Sequence, residues 1–366
     1  MTDPGLNSRM PASIEWLTLL IFEAARFFSR DDHTELLAEF GKPEPPDSMF
    51  PFSTSDFLHY LQPRGFRHAL SQGSRIQRVI DRMVACEMLT DYGQEAWNDV
   101  FGRRFFTNTL ATRSQAKGWL WLAEVIGPEL IIPSYGSITL PIVGFDNNND
   151  VHIGTGVLLD ERHILTNSHV VSDMRVERVV QPSAISPPMP GLPNQSAVTI
   201  VDWECHAHLD VAVITVEPEP GTTGLLPLDG VVFRRPEWRD ETYVFGYPPI
   251  AQAAQAHVTV QRGQVVNPSI SSWSRVAVPE DHPNWPDGDG NGVEFEYFLY
   301  SAISRPGNSG GPIVAQDGRL VGIVAHEVLD AGRADHPFYR GIPGQMVVTA
   351  LGDLGYDDLA ALEDWS

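Results

Sequence analysis

Three short segments carry side chains suited to acyl transfer. They are Pro306-Gly307-Asn308-Ser309-Gly310-Gly311-Pro312, Thr166-Asn167-Ser168-His169-Val170-Val171 and His208-Leu209-Asp210-Val211-Ala212-Val213. A serine hydroxyl attacks a carbonyl only when a base takes its proton. The attacked oxygen then becomes an oxyanion and needs N–H donors already in place. Glycines around Ser309 allow the tight backbone turns that aim successive N–H groups into one hole, and those of Gly307 and Ser309 are the natural pair. Imidazole, which ordinarily titrates at about 6.5, suits the base, and His169 is the candidate. A carboxylate must hold the far ring nitrogen, and Asp210 precedes an apolar strand that would carry it inward.

Each segment alone also has a plain structural reading. A glycine–serine loop serves as a turn, a histidine at a strand end is satisfied by its surroundings, and an aspartate before a strand caps a turn. Only the three together make one reaction. His206 and His208 lack the small-residue context around His169 and read as loop decoration. Two other functions stay open: a catalytically silent scaffold that binds peptides with these residues, or a DNA-binding regulator in which they cleave the chain itself.

The elements that would position these side chains change character near residue 130. Before it, apolar residues recur at helical spacing. Ile76, Val79, Ile80, Met83 and Val84 form one stripe, Leu58 and Leu61 belong to a second helix, and Leu17, Leu20, Ile21, Ala24 and Phe28 share a face of a third. Trp119, Leu122, Val125 and Ile126 form a further helix that Gly127 and Pro128 are expected to stop. After residue 130, short Val- and Ile-rich segments bounded by Gly, Pro or Asp predict strands: Ser137 to Phe145, His152 to Leu159, Ala197 to Val201, Val211 to Val216, Thr242 to Phe245 and Leu320 to Val324. This pattern predicts an all-β sandwich or barrel. A Pro-rich loop at 182–193 and an acidic, glycine-rich one at 280–292 interrupt it.

The 366 residues are 42% apolar and 20% charged, enough for a real core and unlike a disordered or fibrous chain. The net charge is −22, with −4 in residues 1–130 and −18 in 131–366. That balance disfavours a general polyanion binder and makes nucleic acid an unfavoured partner. Two cysteines, Cys86 and Cys205, cannot build a disulfide framework, so a reducing, cytoplasmic compartment is expected. No apolar run is long enough to span a membrane. The apolar run from Trp16 to Phe22, flanked by Glu15 and Glu23, reads as a buried amphipathic helix rather than a signal peptide.

The chain order His169, Asp210, Ser309, with Thr166 to Val171, Gly307 to Pro312 and Gly154-Thr155-Gly156-Val157-Leu158-Leu159, resembles the chymotrypsin/trypsin-like serine proteases. Within them it is most similar to the bacterial HtrA-type branch. The resemblance covers residues 131–366 and implies two six-stranded β-barrels with the triad in the cleft between them. It implies a serine endopeptidase that takes protein or peptide substrates and needs no cofactor. By the same resemblance the substrate pocket is lined by Ile303, Ser304 and the stretch Val324-Ala325-His326-Glu327. Ile303 stands where members that cut after Arg or Lys carry an aspartate, so a small or medium apolar residue before the cut is expected. Two departures matter. Asn308 replaces the aspartate that orders the pocket in trypsin-type zymogens, so that switch is absent. No PDZ module is expected in the 57 residues after Ser309.

Asp287, Asp289 and Asn291 alternate as the start of an oxygen-ligand calcium loop would, but Phe298 stands where that loop needs its closing glutamate, so a plain acidic loop is the expectation. Residues 1–128 are expected to form a mainly helical regulatory or adaptor domain that meets a partner protein or ligand. Ser71 to Asp91 reads as turn, helix and short strand, and a winged-helix module is one reading of it. Residues 62–117 carry a local charge of +4.

Overall fold

The computed structural model describes residues 14–29, 33–42, 51–94, 100–108, 122–146, 148–181, 196–220, 224–228, 231–250, 257–274, 293–325 and 338–363. The 182–193 loop and the candidate oxygen ligands Asp287, Asp289 and Asn291 lie outside the described residues, as do His326 and Glu327. The chain divides into two units, Met1–Thr112 with Glu124–Glu129, and Arg113–Ala123 with Leu130–Ser366.

The N-terminal unit is built on aromatic packing. It contains α1 (Ile14–Phe27), α2 (His33–Glu39), β1 (Phe52–Ser53), α3 (Thr54–Leu61), α4 (Gly73–Ala85), β2 (Leu89–Gln94) and β3 (Arg103–Thr107). Of the expected face of α1, Leu20, Ile21, Ala24 and Phe28 are buried, while Leu17 is half-buried. Phe27 extends that face, its ring 4.6–5.3 Å from those of Phe28, Phe52, Phe57 and Tyr60. A capping box starts α3: the Ser53 hydroxyl accepts from the Asp56 N–H at 3.1 Å, and the Asp56 carboxylate accepts from the Ser53 N–H at 3.0 Å. The apolar stripe of α4 is buried at Ile76, Val79, Ile80 and Met83, and half-buried at Val84. The three strands form one antiparallel sheet in the order β1-β3-β2.

Two helices lead into the β part, α5 (Ala123–Ile126) and α6 (Pro128–Ile138). Gly127, with φ +79°, ends α5 as expected. Pro128 does not stop a helix; it opens α6. The first helical position needs no N–H donor, and the fixed proline φ suits it. Because α6 runs through Ile138, the first expected strand begins at Thr139 rather than Ser137.

The first barrel comprises β4 (Thr139–Phe145), β5 (Val151–Leu158), β6 (His163–Thr166), β7 (Arg175–Gln181), β8 (Ser196–Cys205) and β9 (Ala212–Pro218), closed in the order β4-β5-β6-β9-β8-β7. A short helix, α7 (Ser168–Ser172), follows β6. Leu140, Ile142, Val157, Ile164, Leu165, Val213 and Ile214 are fully buried in the core.

The remaining elements are β10 (Val232–Arg234), β11 (Glu241–Gly246), β12 (Thr259–Ser274), β13 (Val293–Tyr300), β14 (Pro312–Ala315), β15 (Leu320–Val324), β16 (Tyr339–Pro343), α8 (Gly344–Asp353) and β17 (Ala361–Glu363). Strands β14-β11-β12-β13-β16-β15 pair in sequence, and the antiparallel pairing of β14 with β15 closes them into a second six-stranded ring. Parallel strands β10 and β17 extend it from β15. Val244, Val265, Phe298, Tyr300, Ile313 and Val321 fill its core. This is the expected double barrel.

A buried ionic network braces its flank. Arg234 pairs with both oxygens of Asp240 at 2.8 Å and with Asp317 at 2.6 Å, and Arg319 pairs with Glu363 of β17. The hydroxyl of buried Tyr135 in α6 donates to the Gly318 carbonyl at 2.6 Å, tying that helix to the β14–β15 turn.

Candidate active site

His169 sits on α7, directly after β6. Its Nδ1 lies 2.7 Å from Asp210 Oδ2, and its backbone N–H donates to Asp210 Oδ1 at 3.0 Å. Both carboxylate oxygens are thus used on one residue, which fixes the imidazole in position and tautomer. The Asp210 side chain is only 4% exposed, so this pair is shielded from water. The residues before His169 hold the backbone around Asp210. Asn167 Nδ2 donates to the Asp210 carbonyl at 2.8 Å, and Ser168 Oγ donates to that of Val211 at 2.7 Å.

Ser309 is carried by two consecutive turns. The Asn308 N–H donates to the Arg305 carbonyl and the Gly311 N–H to that of Asn308, both at 2.9 Å. The third residues of these turns, Gly307 and Gly310, have φ of +97° and +81°. Pro306 precedes Gly307, the proline–glycine order that a type II turn favours. A Cβ on Gly310 would collide with the Thr155 carbonyl and the Thr166 hydroxyl, so only glycine fits against the first barrel there. Among the described residues, the N–H groups of Gly307 and Ser309 have no hydrogen-bond acceptor.

The two barrels meet at this turn through Thr155 of β5. Its hydroxyl donates to the Gly307 carbonyl at 2.6 Å and accepts from the Tyr247 N–H at 3.0 Å, while its own N–H donates to the Ser309 carbonyl at 3.0 Å. A cleft of about 320 Å³ contains His169, Gly307 and Ser309 together, with Ser304, Val324 and Ala325 on one wall and His152, Ile153 and Met174 on another.

Residues 154–323 match the family model of the trypsin-like peptidase domain. This stretch of the two barrels is similar to trypsin-like peptidase domains. Among solved structures the chain is similar to the active form of the Rv3671c protease from M. tuberculosis, at 19% identity and a TM-score of 0.45, over 62% of this chain and 87% of that one. It is also similar to the HtrA-type protease AlgW with a tripeptide, at 15% identity and a TM-score of 0.42, over 61% and 62% of the two chains. None of the curated proteins compared matches the sequence.

The structure distributes the expected pocket residues unevenly. Ser304, Val324 and Ala325 line the cleft beside Ser309. Ile303 does not. It is half exposed and lines a neighbouring cavity of about 270 Å³ with Pro248, Ile250 and Asn308. Asn308 is buried, and its Oδ1 has no hydrogen-bond partner among the described residues. Burial pushes the Cys205 thiol above its ordinary range; the Asp210 charge adds to the rise and the Ser168 hydroxyl opposes it. That keeps the sulfur beside the site protonated and a poor nucleophile.

Sequence reasoning passed over two residues. Thr155 was visible only as part of a glycine-flanked motif, although a threonine fully buried inside a strand calls for hydrogen-bond partners. His206 read as decoration, yet its ring is nearly buried, at 8% exposure. Among the described residues, no group of three or more His, Cys, Asp and Glu side chains could hold a metal ion. No helix among them is long and apolar enough to cross a membrane.

Proposed function

We propose that this protein is a serine endopeptidase working through Ser309, His169 and Asp210. The observation that carries the reading is the Asp210 carboxylate gripping both the Nδ1 and the backbone N–H of His169, in the cleft that Ser309 lines. With the imidazole proton held on Nδ1, the Nε2 lone pair is the acceptor for the serine proton. Ser309 Oγ bonds to the substrate carbonyl carbon as its proton passes to His169. The resulting oxyanion is received by the Gly307 and Ser309 N–H groups, each such donor being worth about 2.7–4 kcal/mol of barrier. The C–N bond then breaks, and the amine leaves with the proton from His169. Water repeats the sequence on the acyl-enzyme and releases the acid. The wall of Val324 and Ala325, with buried Ser304, favours a small or medium apolar residue before the cut.

The test is digestion of a proteome-derived peptide library by the wild type and by Ser309→Ala, with fluorophosphonate labelling in parallel. Cleavage and labelling by the wild type alone support the reading. Comparable turnover by Ser309→Ala refutes the mechanism. A wild type that neither cleaves nor labels is a silent peptide-binding scaffold.

For the N-terminal unit we propose a regulatory module that gates the peptidase through a partner protein or ligand. Its order of two helices, strand, two helices and hairpin, with the sheet β1-β3-β2, supports a winged-helix reading. Three of its arginines are engaged within the unit. Arg103 pairs with Asp81 and Asp91 at 2.5 Å, Arg82 donates to the Val125 carbonyl, and Arg64 pairs with Glu39 while stacking on Tyr60. Such pairing favours a protein or small ligand over phosphate backbones. Mobility-shift assays of the full-length Ser309→Ala chain at several salt concentrations test this. Salt-sensitive DNA binding would overturn it.

A further inference from the structure

Asp210 is presented by a tight loop, and one imidazole holds that loop from inside. The loop is closed by the His206 N–H donating to the Val211 carbonyl at 2.8 Å. Within it, His206 Nδ1 accepts two backbone N–H groups, from His208 at 3.1 Å and from Leu209 at 2.9 Å. An Nδ1 that accepts twice carries no proton, so the ring proton sits on Nε2. Nε2 lies 3.1 Å from Asp353 Oδ2, the last residue of α8, which packs on the second barrel. A second bond follows the same route: the Tyr356 hydroxyl donates to Glu204 Oε2 at 2.7 Å, two residues before His206. The Tyr356 ring also packs at a tilt against His163 of β6, with centroids 5.2 Å apart.

We propose that His206 is a positioning residue for the reaction. It shapes the 206–211 loop through Nδ1 and clasps it to Asp353 through Nε2, so that the Asp210 carboxylate meets His169 while the second barrel holds Ser309. This inference rests on the serine endopeptidase reading above. His206 touches neither substrate nor the reacting atoms and acts only through Asp210. Reaction geometry is steep enough that a displacement of about 1 Å can cost about 100-fold in rate.

The two ring nitrogens can be tested separately. In His206→Asn the side-chain Oδ1 stands where Nδ1 stood and can accept the same two N–H groups as an Asx-type turn. In His206→Gln the Nε2 can still donate to Asp353, but the inner acceptor is gone. Steady-state kinetics of the full chain on a peptide cleaved by the wild type, together with the low-field proton resonance of the His169–Asp210 bond, read the result. The expected outcome is that His206→Gln loses about 10-fold or more in kcat, with KM within about twofold, and shifts or broadens that resonance. His206→Asn keeps kcat within about threefold and keeps the resonance. Asp353→Ala should match His206→Asn, a loss within about threefold, because both free the clasp and leave the loop's inner bonds.

Circular dichroism and a melting curve on each variant separate misfolding from mispositioning. If His206→Gln unfolds, Asp353→Ala and Tyr356→Phe test the clasp alone, and unchanged kcat in both overturns it. Equal losses in the Asn and Gln variants, or no loss in either, also overturn the inference. A wild type that shows neither cleavage nor fluorophosphonate labelling defeats the endopeptidase reading instead, so the two failures are distinguishable.

Discussion

The Thr155 hydroxyl and the Gly307 carbonyl, 152 residues apart in the chain, lie 2.6 Å from each other. Through that bond a strand of the first barrel sets the direction of the Gly307–Asn308 peptide in the second. The Tyr247 N–H completes the hydroxyl's partners. The turn that carries Ser309 is thus braced from outside its own barrel.

Thr155→Val preserves shape and removes both bonds. It leaves a buried N–H on Tyr247 and a carbonyl on Gly307 without partners, at a cost of about 1–3 kcal/mol for each group so orphaned. The expected result is a lower melting temperature and a kcat reduced about 10-fold to 100-fold with KM little changed. Steady-state kinetics and a thermal melt check it. Unchanged kcat would show that the turn orders itself.

Asp210→Asn tests the tautomer. The carboxamide can donate to His169 Nδ1, which drives the ring proton to Nε2 and removes the acceptor that Ser309 needs. A loss of about 10⁴-fold in kcat is expected, with the fold retained. Fluorophosphonate labelling should slow in step, since it uses the same activated hydroxyl. Labelling at the wild-type rate would assign the base elsewhere.

Glu363→Ala probes the C-terminal strand. Arg319 and Glu363 are each 6% exposed, so removing the carboxylate breaks a buried ion pair on one side. Breaking a buried pair on one side costs about 3–5 kcal/mol. Urea unfolding should show a lower midpoint at unchanged slope, and no shift in the midpoint would mean that water has replaced the carboxylate.

The two thiols should be slow. Burial, with Glu124 adding to it, pushes Cys86 up to about 11, and Cys205 is also raised. A raised thiol keeps its proton, so the thiolate fraction at pH 7.5 falls and recovers only as pH climbs towards the raised value. Native-state reaction of Cys86 with a disulfide reagent at pH 7.5 should be at least about 100-fold slower than that of a free thiol, and should become fast in denaturant. Rapid native labelling of Cys86 would contradict its burial.

Much of the site was legible because the chemistry demands particular residue types. An acyl-transfer serine needs glycines beside it, and Gly307 and Gly310 do adopt the positive φ that those glycines foretold. The stripe on α4 and the Val- and Ile-rich strands were readable because periodicity reports local burial. Where local signals have two outcomes, reading was less secure. Pro128 can follow one helix or start another, and it starts α6 because the chain continues as a helix after Gly127.

By itself, then, the sequence determined which residues have the chemistry and which segments can be strand or helix, since both depend on side-chain type and short-range spacing. Only the tertiary structure decided who meets whom. The closure of β14 on β15, the side of the turn that Ile303 faces, and the Thr155–Gly307 and His206–Asp353 bonds all depend on packing between distant segments. A hydrogen bond across 147 residues leaves no periodic trace, because its partners are chosen by the fold rather than by their neighbours in the chain.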